Sequence, residues 1–193
     1  MRQLIRNRAL VDNRWVLLRD ASTLAKVPDG VAAIVPLALW LAHRDELMAR
    51  GEVGVWLAPD DDPAALAADI TLLSLIAIDF PQFTDGRGYS TARLLRDRFY
   101  FRGELRAIGD VLRDQLFALA ECGFDAFSIR ADRNATEALA GLDDFAGVYA
   151  PTSRAPQPWF RRRDASASHA RDHDHLDQRL EPDSGGTRIH GSR

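Results

Sequence analysis

Between Val31 and Arg130, short apolar runs alternate with stretches of helical periodicity, and this restricts the fold more than any other feature of the sequence. Val31 to Val35 is apolar and rich in β-branched residues, the pattern of a buried strand. Leu37, Trp40, Leu41, Leu47 and Met48 follow at helical spacing, and Gly51 is a natural stop. Val53 to Leu57 is a second strand. Asp62 and Pro63 then open a helix as N-cap and first helical residue, with Leu66, Ile70 and Leu73 on its inner face. Leu75 to Ile78 is the next strand. Ser90 to Phe99 reads as a helix with Ala92, Leu95 and Phe99 inward and Arg93, Arg96 and Arg98 outward. Leu105 to Ile108 follows as a strand. Asp110 is placed to cap a helix with Leu112, Leu116 and Leu119 on its buried stripe, ended by Gly123. Asp125 to Arg130 is a further strand. Asn134-Ala135-Thr136-Glu137 is a capping box for a short helix, and Ala146 to Tyr149 reads as a last strand. Ahead of this series, Leu4 to Leu18 reads as a short hairpin turning at Asp12-Asn13.

This order predicts an α/β fold, a mainly parallel sheet with alternating helices. It leaves an open sheet and a partial barrel equally admissible. The chain has 193 residues, 46% of them hydrophobic, which suits one domain. That domain is expected over 1–163. After Phe160 the only large apolar residues are Leu176, Leu180 and Ile189, while four of the five histidines fall there. Residues 164–193 cannot bury enough surface to offset ordering entropy, so a disordered tail is expected.

The totals exclude several functions. A net charge of -3 gives no global basic field, so no nucleic-acid partner is expected. Cys122 is the single cysteine, which rules out an internal disulfide and a cluster held within one chain. Neither Gly-x-x-x-x-Gly-Lys nor Gly-x-Gly-x-x-Gly occurs, and no cofactor is expected. The longest apolar run, Val31 to Ala42, is broken by Pro36 and is too short to cross a bilayer. With no targeting segment in the first residues, a cytoplasmic location follows by elimination.

In a parallel sheet, ligands bind beyond the carboxyl ends of the strands. That rule collects Asp60, Asp61 and Asp62 after one strand, Asp79 and the segment Asp85-Gly86-Arg87-Gly88-Tyr89-Ser90 after the next, and Gly109 and Asp110 with Arg113, Asp114 and Gln115 one turn on; Arg130 and Asp132 end the fourth strand. Two glycines flank Arg87 where the loop enters a helix, a setting for an oxyanion at the helix start. The alternative is a simple turn with Arg87 paired to Asp85 or Asp110. Asp79, Asp85, Asp110 and Asp132 are the residue type for magnesium, but caps and arginine pairs account for them, and no metal is expected. The region has no histidine to act as a general base.

The stretch Phe80 to Arg96, with Thr84-Asp85-Gly86-Arg87-Gly88-Tyr89-Ser90 at its centre, the stretch Gly103 to Leu116, and Cys122-Gly123-Phe124-Asp125-Ala126-Phe127 resemble a bacterial family, domain of unknown function 934. The resemblance spans about residues 3 to 163. Members are described as oxidoreductases of sulfite reduction, through gene neighbourhood with the sulfite reductase hemoprotein. The resemblance therefore implies an accessory protein or oxidoreductase of assimilatory sulfite reduction, partnered with that hemoprotein. A second reading is an enzyme or binding protein for a small anionic metabolite, its oxyanion held by Arg87, Arg113 and helix N-termini, and a third is a structural adaptor. No catalytic residue set comes with the family. The matching candidates for ligand or partner binding are Asp85, Arg87, Tyr89, Arg93, Asp110, Arg113, Asp114 and Gln115, together with Asp79 at the strand end.

Overall fold

The computed structural model describes residues 3–145, 151–153, 155 and 157. The expected strand at Ala146–Tyr149 and the expected disordered tail lie outside these residues. Eight strands form one sheet: β1 (Gln3–Arg6), β2 (Ala9–Asp12), β3 (Val16–Leu17), β4 (Ala33–Pro36), β5 (Val53–Leu57), β6 (Leu75–Phe80), β7 (Glu104–Gly109) and β8 (Ala126–Phe127), in the order β2-β1-β8-β7-β6-β5-β4-β3. From β3 to β8 every neighbouring pair is parallel, while β1 is antiparallel to both β2 and β8. The helices are α1 (Leu37–Arg50), α2 (Arg87–Arg93), α3 (Leu116–Glu121) and α4 (Ala135–Leu139).

The sheet is open but curled. β2 and β3 are its two edges, yet only residues 13–15 separate them in the chain. Four chain steps span at most about 14 Å. A flat sheet of this width would hold its edges roughly 34 Å apart. The edges must therefore bend toward each other, as in a barrel that stops short of closing. Alternate residues of each strand face the two sides. On β6, Ile76, Ile78 and Phe80 join the main core under the helices, while Leu75 and Ala77 join Trp15, Ile34 and Ile108 on the concave side.

Arg106 also faces the inside of the curl and is 1% exposed. Its Nε donates to Glu104 Oε1 at 2.7 Å, and its Nη1 donates to Asn13 Oδ1 at 3.0 Å. Asn13 Oδ1 also accepts from Trp15 N at 3.1 Å. The buried guanidinium thus fastens the segment that links the two edges.

Five expectations need correction. The hairpin turns at Asn7-Arg8, with φ of 49° and 63°, not at Asp12-Asn13. Two left-handed residues match strand twist, but the usual glycine signal is missing at Arg8. The helix expected over Ser90–Phe99 begins earlier, at Arg87, and ends in a π turn over Leu94–Arg98. Arg96 does not point outward: it donates to the carbonyls of Phe101, Gly103 and Gly123 and pairs with Asp125 at 2.8 Å. These are oxygens that the loop following the π turn and the end of α3 leave without partners in secondary structure. The strand expected over Asp125–Arg130 contracts to Ala126–Phe127, although Arg130 N still reaches Val111 O at 3.1 Å. Finally, the helix expected after Asp62-Pro63 is one short 3-10 turn, Pro63–Leu66, capped as expected by Asp62.

Candidate functional site at the C-terminal mouth

Parallel strands in chain order bring their C-terminal ends to one mouth. Asp79 sits near the end of β6 and is 8% exposed. Arg19, two residues past β3, reaches it with two hydrogen bonds of 2.7 and 2.9 Å. The same guanidinium lies 5.8 Å from the ring centre of Trp56 on β5. Asp110, just past β7, accepts from Arg130 Nη1 at 2.7 Å. Arg130 also donates to Asp132 at 2.6 and 3.0 Å. Between these two pairs lies a shallow cleft of about 460 Å³, with Arg19, Asp79, Pro81, Gly109, Asp110 and Arg130 among its walls. Gly109 is required there: its φ is +96°, and a Cβ would meet Phe80 O at 2.3 Å and Asp79 Oδ1 at 2.6 Å.

A second ionic group stands on the rim. Arg87 Nη2 and Nε donate to Asp85 at 2.7 and 3.0 Å, and Arg87 Nη1 also pairs with Asp60. Asp85 accepts Arg87 N as well, so it occupies the place an oxyanion would take at the start of α2. Gly88 is explained by packing: a Cβ there would meet the Phe80 ring at 2.6 Å. Gly86 has ordinary right-handed geometry and open space beside it.

Asp110 and Gln115 do something the sequence did not reveal. Asp110 Oδ2 accepts Phe83 N at 3.0 Å, and Gln115 Nε2 donates to Phe83 O at 2.9 Å. Gln115 Oε1 meanwhile accepts Leu112 N at 2.9 Å, so Gln115 and not Asp110 caps the following turn. The backbone of Phe83 is clamped on both sides, and its ring remains 54% exposed. Tyr89 lies below, edge-on to Phe80 at 5.6 Å, and burial pushes its phenol above the ordinary value against the opposing effect of Gln115.

The structure brings Asp79, Asp85, Arg87, Tyr89, Asp110 and Gln115 into this region. The other three candidates do not join it. Arg93 donates to Pro151 O at 3.3 Å, and Arg113 pairs with Asp144 at 2.6 Å. Asp114 is exposed and has no hydrogen bond or ion pair among the described residues. Arg19 and Phe83 were missed, while Asp60 was placed at this edge by the strand-end rule without its partner Arg87. Arg19 carried a signal in its place just past an apolar strand, whereas nothing local marks Phe83 as held outward.

The hydrogen bonds from Arg87 hold the Asp85 carboxyl below its ordinary value, and those from Arg130 do the same for Asp132. Carboxylates so stabilised are weak proton acceptors. Asp79, Asp85, Asp110 and Asp132 each face a guanidinium, and no group of three or more metal-ligating side chains is disposed for a metal among the described residues. Cys122 is half-buried, and burial raises its thiol above the ordinary value. Among the described residues, no helix is long and apolar enough to cross a membrane.

The sequence model of a family described as bacterial protein of unknown function (DUF934) matches residues 54–160. The chain belongs to this family. The match starts within β5 and includes Asp79, the Phe83 clamp, the Arg87 group and the Asp110–Arg130 pair. Arg19 and the hairpin lie before the part that DUF934 covers. A comparison with curated proteins found no match.

Proposed function

We propose that this protein is an accessory component of assimilatory sulfite reduction that docks on the sulfite reductase hemoprotein through the C-terminal mouth. The resemblance of the motifs supplies the pathway. The observation that favours docking is Phe83: an exposed aromatic ring on a backbone clamped by Asp110 and Gln115, ringed by charged groups. A rigid aromatic anchor inside a polar rim is the usual make-up of a binding hot spot. The second reading, a binding site for a small oxyanion such as sulfite, rests on the cleft between Arg19 and Arg130. Against it, both guanidiniums already have carboxylate partners that an anion would have to displace.

Deletion of the gene tests the pathway. The expected result is poor growth on sulfate and sulfite and normal growth on sulfide or cysteine. Normal growth on all four sources would remove the sulfite-reduction reading. A rise in melting temperature of the purified protein with sulfite or phosphate would favour the anion site over docking.

A further inference from the structure

A cavity of about 820 Å³ opens at the other end of the molecule, beside the β1–β2 turn, the end of the π turn and the α3–β8 loop. Its size is within the range of small-molecule sites. It is independent of the mouth.

Three features set this cavity apart. First, Asn7, Arg8 and Tyr100 are the three non-glycine residues with left-handed backbone among the described residues, and all line this one cavity. The hairpin accounts for Asn7 and Arg8. Tyr100, with φ of 55°, occupies the position after a helix where glycine is the ordinary occupant, and Phe101 N closes that end onto Leu95 O at 2.9 Å. A bulky residue there is strained. Second, the strain gains no packing in return. The Tyr100 ring is 67% exposed and has no aromatic or hydrogen-bond partner among the described residues. Third, Arg102, two residues on, is exposed and has no hydrogen bond or ion pair among the described residues. Arg96 and Arg8 differ from it, being bound to Asp125 and Asp143. The cavity floor is apolar, with Ala120, Phe124, Phe127 and Leu142.

Strained backbone clusters at ligand sites, and an apolar floor with a few polar groups is the make-up of a small-molecule pocket. We propose that this cavity binds an amphiphilic aromatic anion, its ring against Tyr100 and the apolar floor and its acidic group on Arg102. A single unpaired guanidinium fits one carboxylate or sulfonate, and Asp97 and Asp125 in the wall disfavour a more highly charged ligand.

The probe is 8-anilinonaphthalene-1-sulfonate, titrated into the full-length chain and followed by fluorescence. One saturable site is expected. Arg102→Gln and Tyr100→Gly should each weaken it about tenfold or more. Arg14→Gln, an equal loss of charge elsewhere on the surface, should leave it unchanged. Tyr100→Gly should also leave the melting temperature unchanged or raised, since glycine relieves the left-handed strain. No saturable binding, or binding that survives both substitutions, would overturn the proposal. So would a marked fall in melting temperature with Tyr100→Gly, because the ring would then be a packing residue.

Discussion

Arg87 shows how one residue changes meaning between sequence and structure. Flanked by glycines at a helix start, it reads as a free anion holder. In the structure it is tied to Asp85 and Asp60, and it remains 54% exposed as a side chain. Pairs this exposed contribute little to folding because water and salt screen them. Arg87→Ala should therefore leave the melting temperature close to the wild-type value. The sensitive readout is Asp85. Its carboxyl is held below its ordinary value of 3.8 by hydrogen bonds from Arg87. A group depressed in the folded state adds stability above its unfolded value, and that stability is lost as pH falls through the folded value. NMR titration should find Asp85 titrating below 3.8 in the wild type and back near that value in Arg87→Ala. An Asp85 titration unmoved by the substitution would show that the pair does not persist in solution.

At the level of elements, β4 to β7 and α1 were legible in the sequence, because buried parallel strands are continuous apolar runs and Gly51 marks a helix end. What failed was decided by distant partners. Arg96 looked solvent-facing from its spacing, yet the carbonyls of Phe101, Gly103 and Gly123 draw it in. Asp110 looked like a cap, but Phe83 N and Arg130 claim it, and Gln115 takes the capping role. The candidate site was half legible: the strand-end rule found its carboxylates but not Arg19 or Phe83, whose roles depend on the curl and on a clamp between loops. On the concave face, Arg106 links Glu104 to Asn13, in the segment that joins the two sheet edges. Burial lowers the Arg106 guanidinium from its ordinary value, against the raising effect of Glu104. Removing one partner of a buried pair strands the other, so Arg106→Ala should cost about 3 kcal/mol in urea denaturation. The double substitution Glu104→Gln with Arg106→Met, which removes both charges, should recover a good part of that loss. A double variant no better than Arg106→Ala would mean that the charge pair is not what the site depends on.

At the scale of the whole molecule, the core among the described residues runs from Ile5 on β1 to Leu142 after α4, and the sequence beyond Arg163 offers only Leu176, Leu180 and Ile189 as large apolar residues. Truncation after Arg163 should therefore leave the melting temperature nearly unchanged. A loss of several degrees would show that residues beyond Arg163 pack on the domain. The two ends of the sheet differ: an ionic mouth with a clamped aromatic lies at one, and a partly apolar cavity at the other. The central claim is that the mouth docks on the hemoprotein by way of Phe83. Its most direct test is the binding of the purified chain to purified sulfite reductase hemoprotein by titration calorimetry, with the wild type and with Phe83→Ser. The account predicts a saturable complex with the wild type. With Phe83→Ser, at unchanged melting temperature, it predicts a loss of at least about tenfold in affinity, as for removal of a hot-spot anchor. No complex with the wild type, or equal binding by Phe83→Ser, would contradict it.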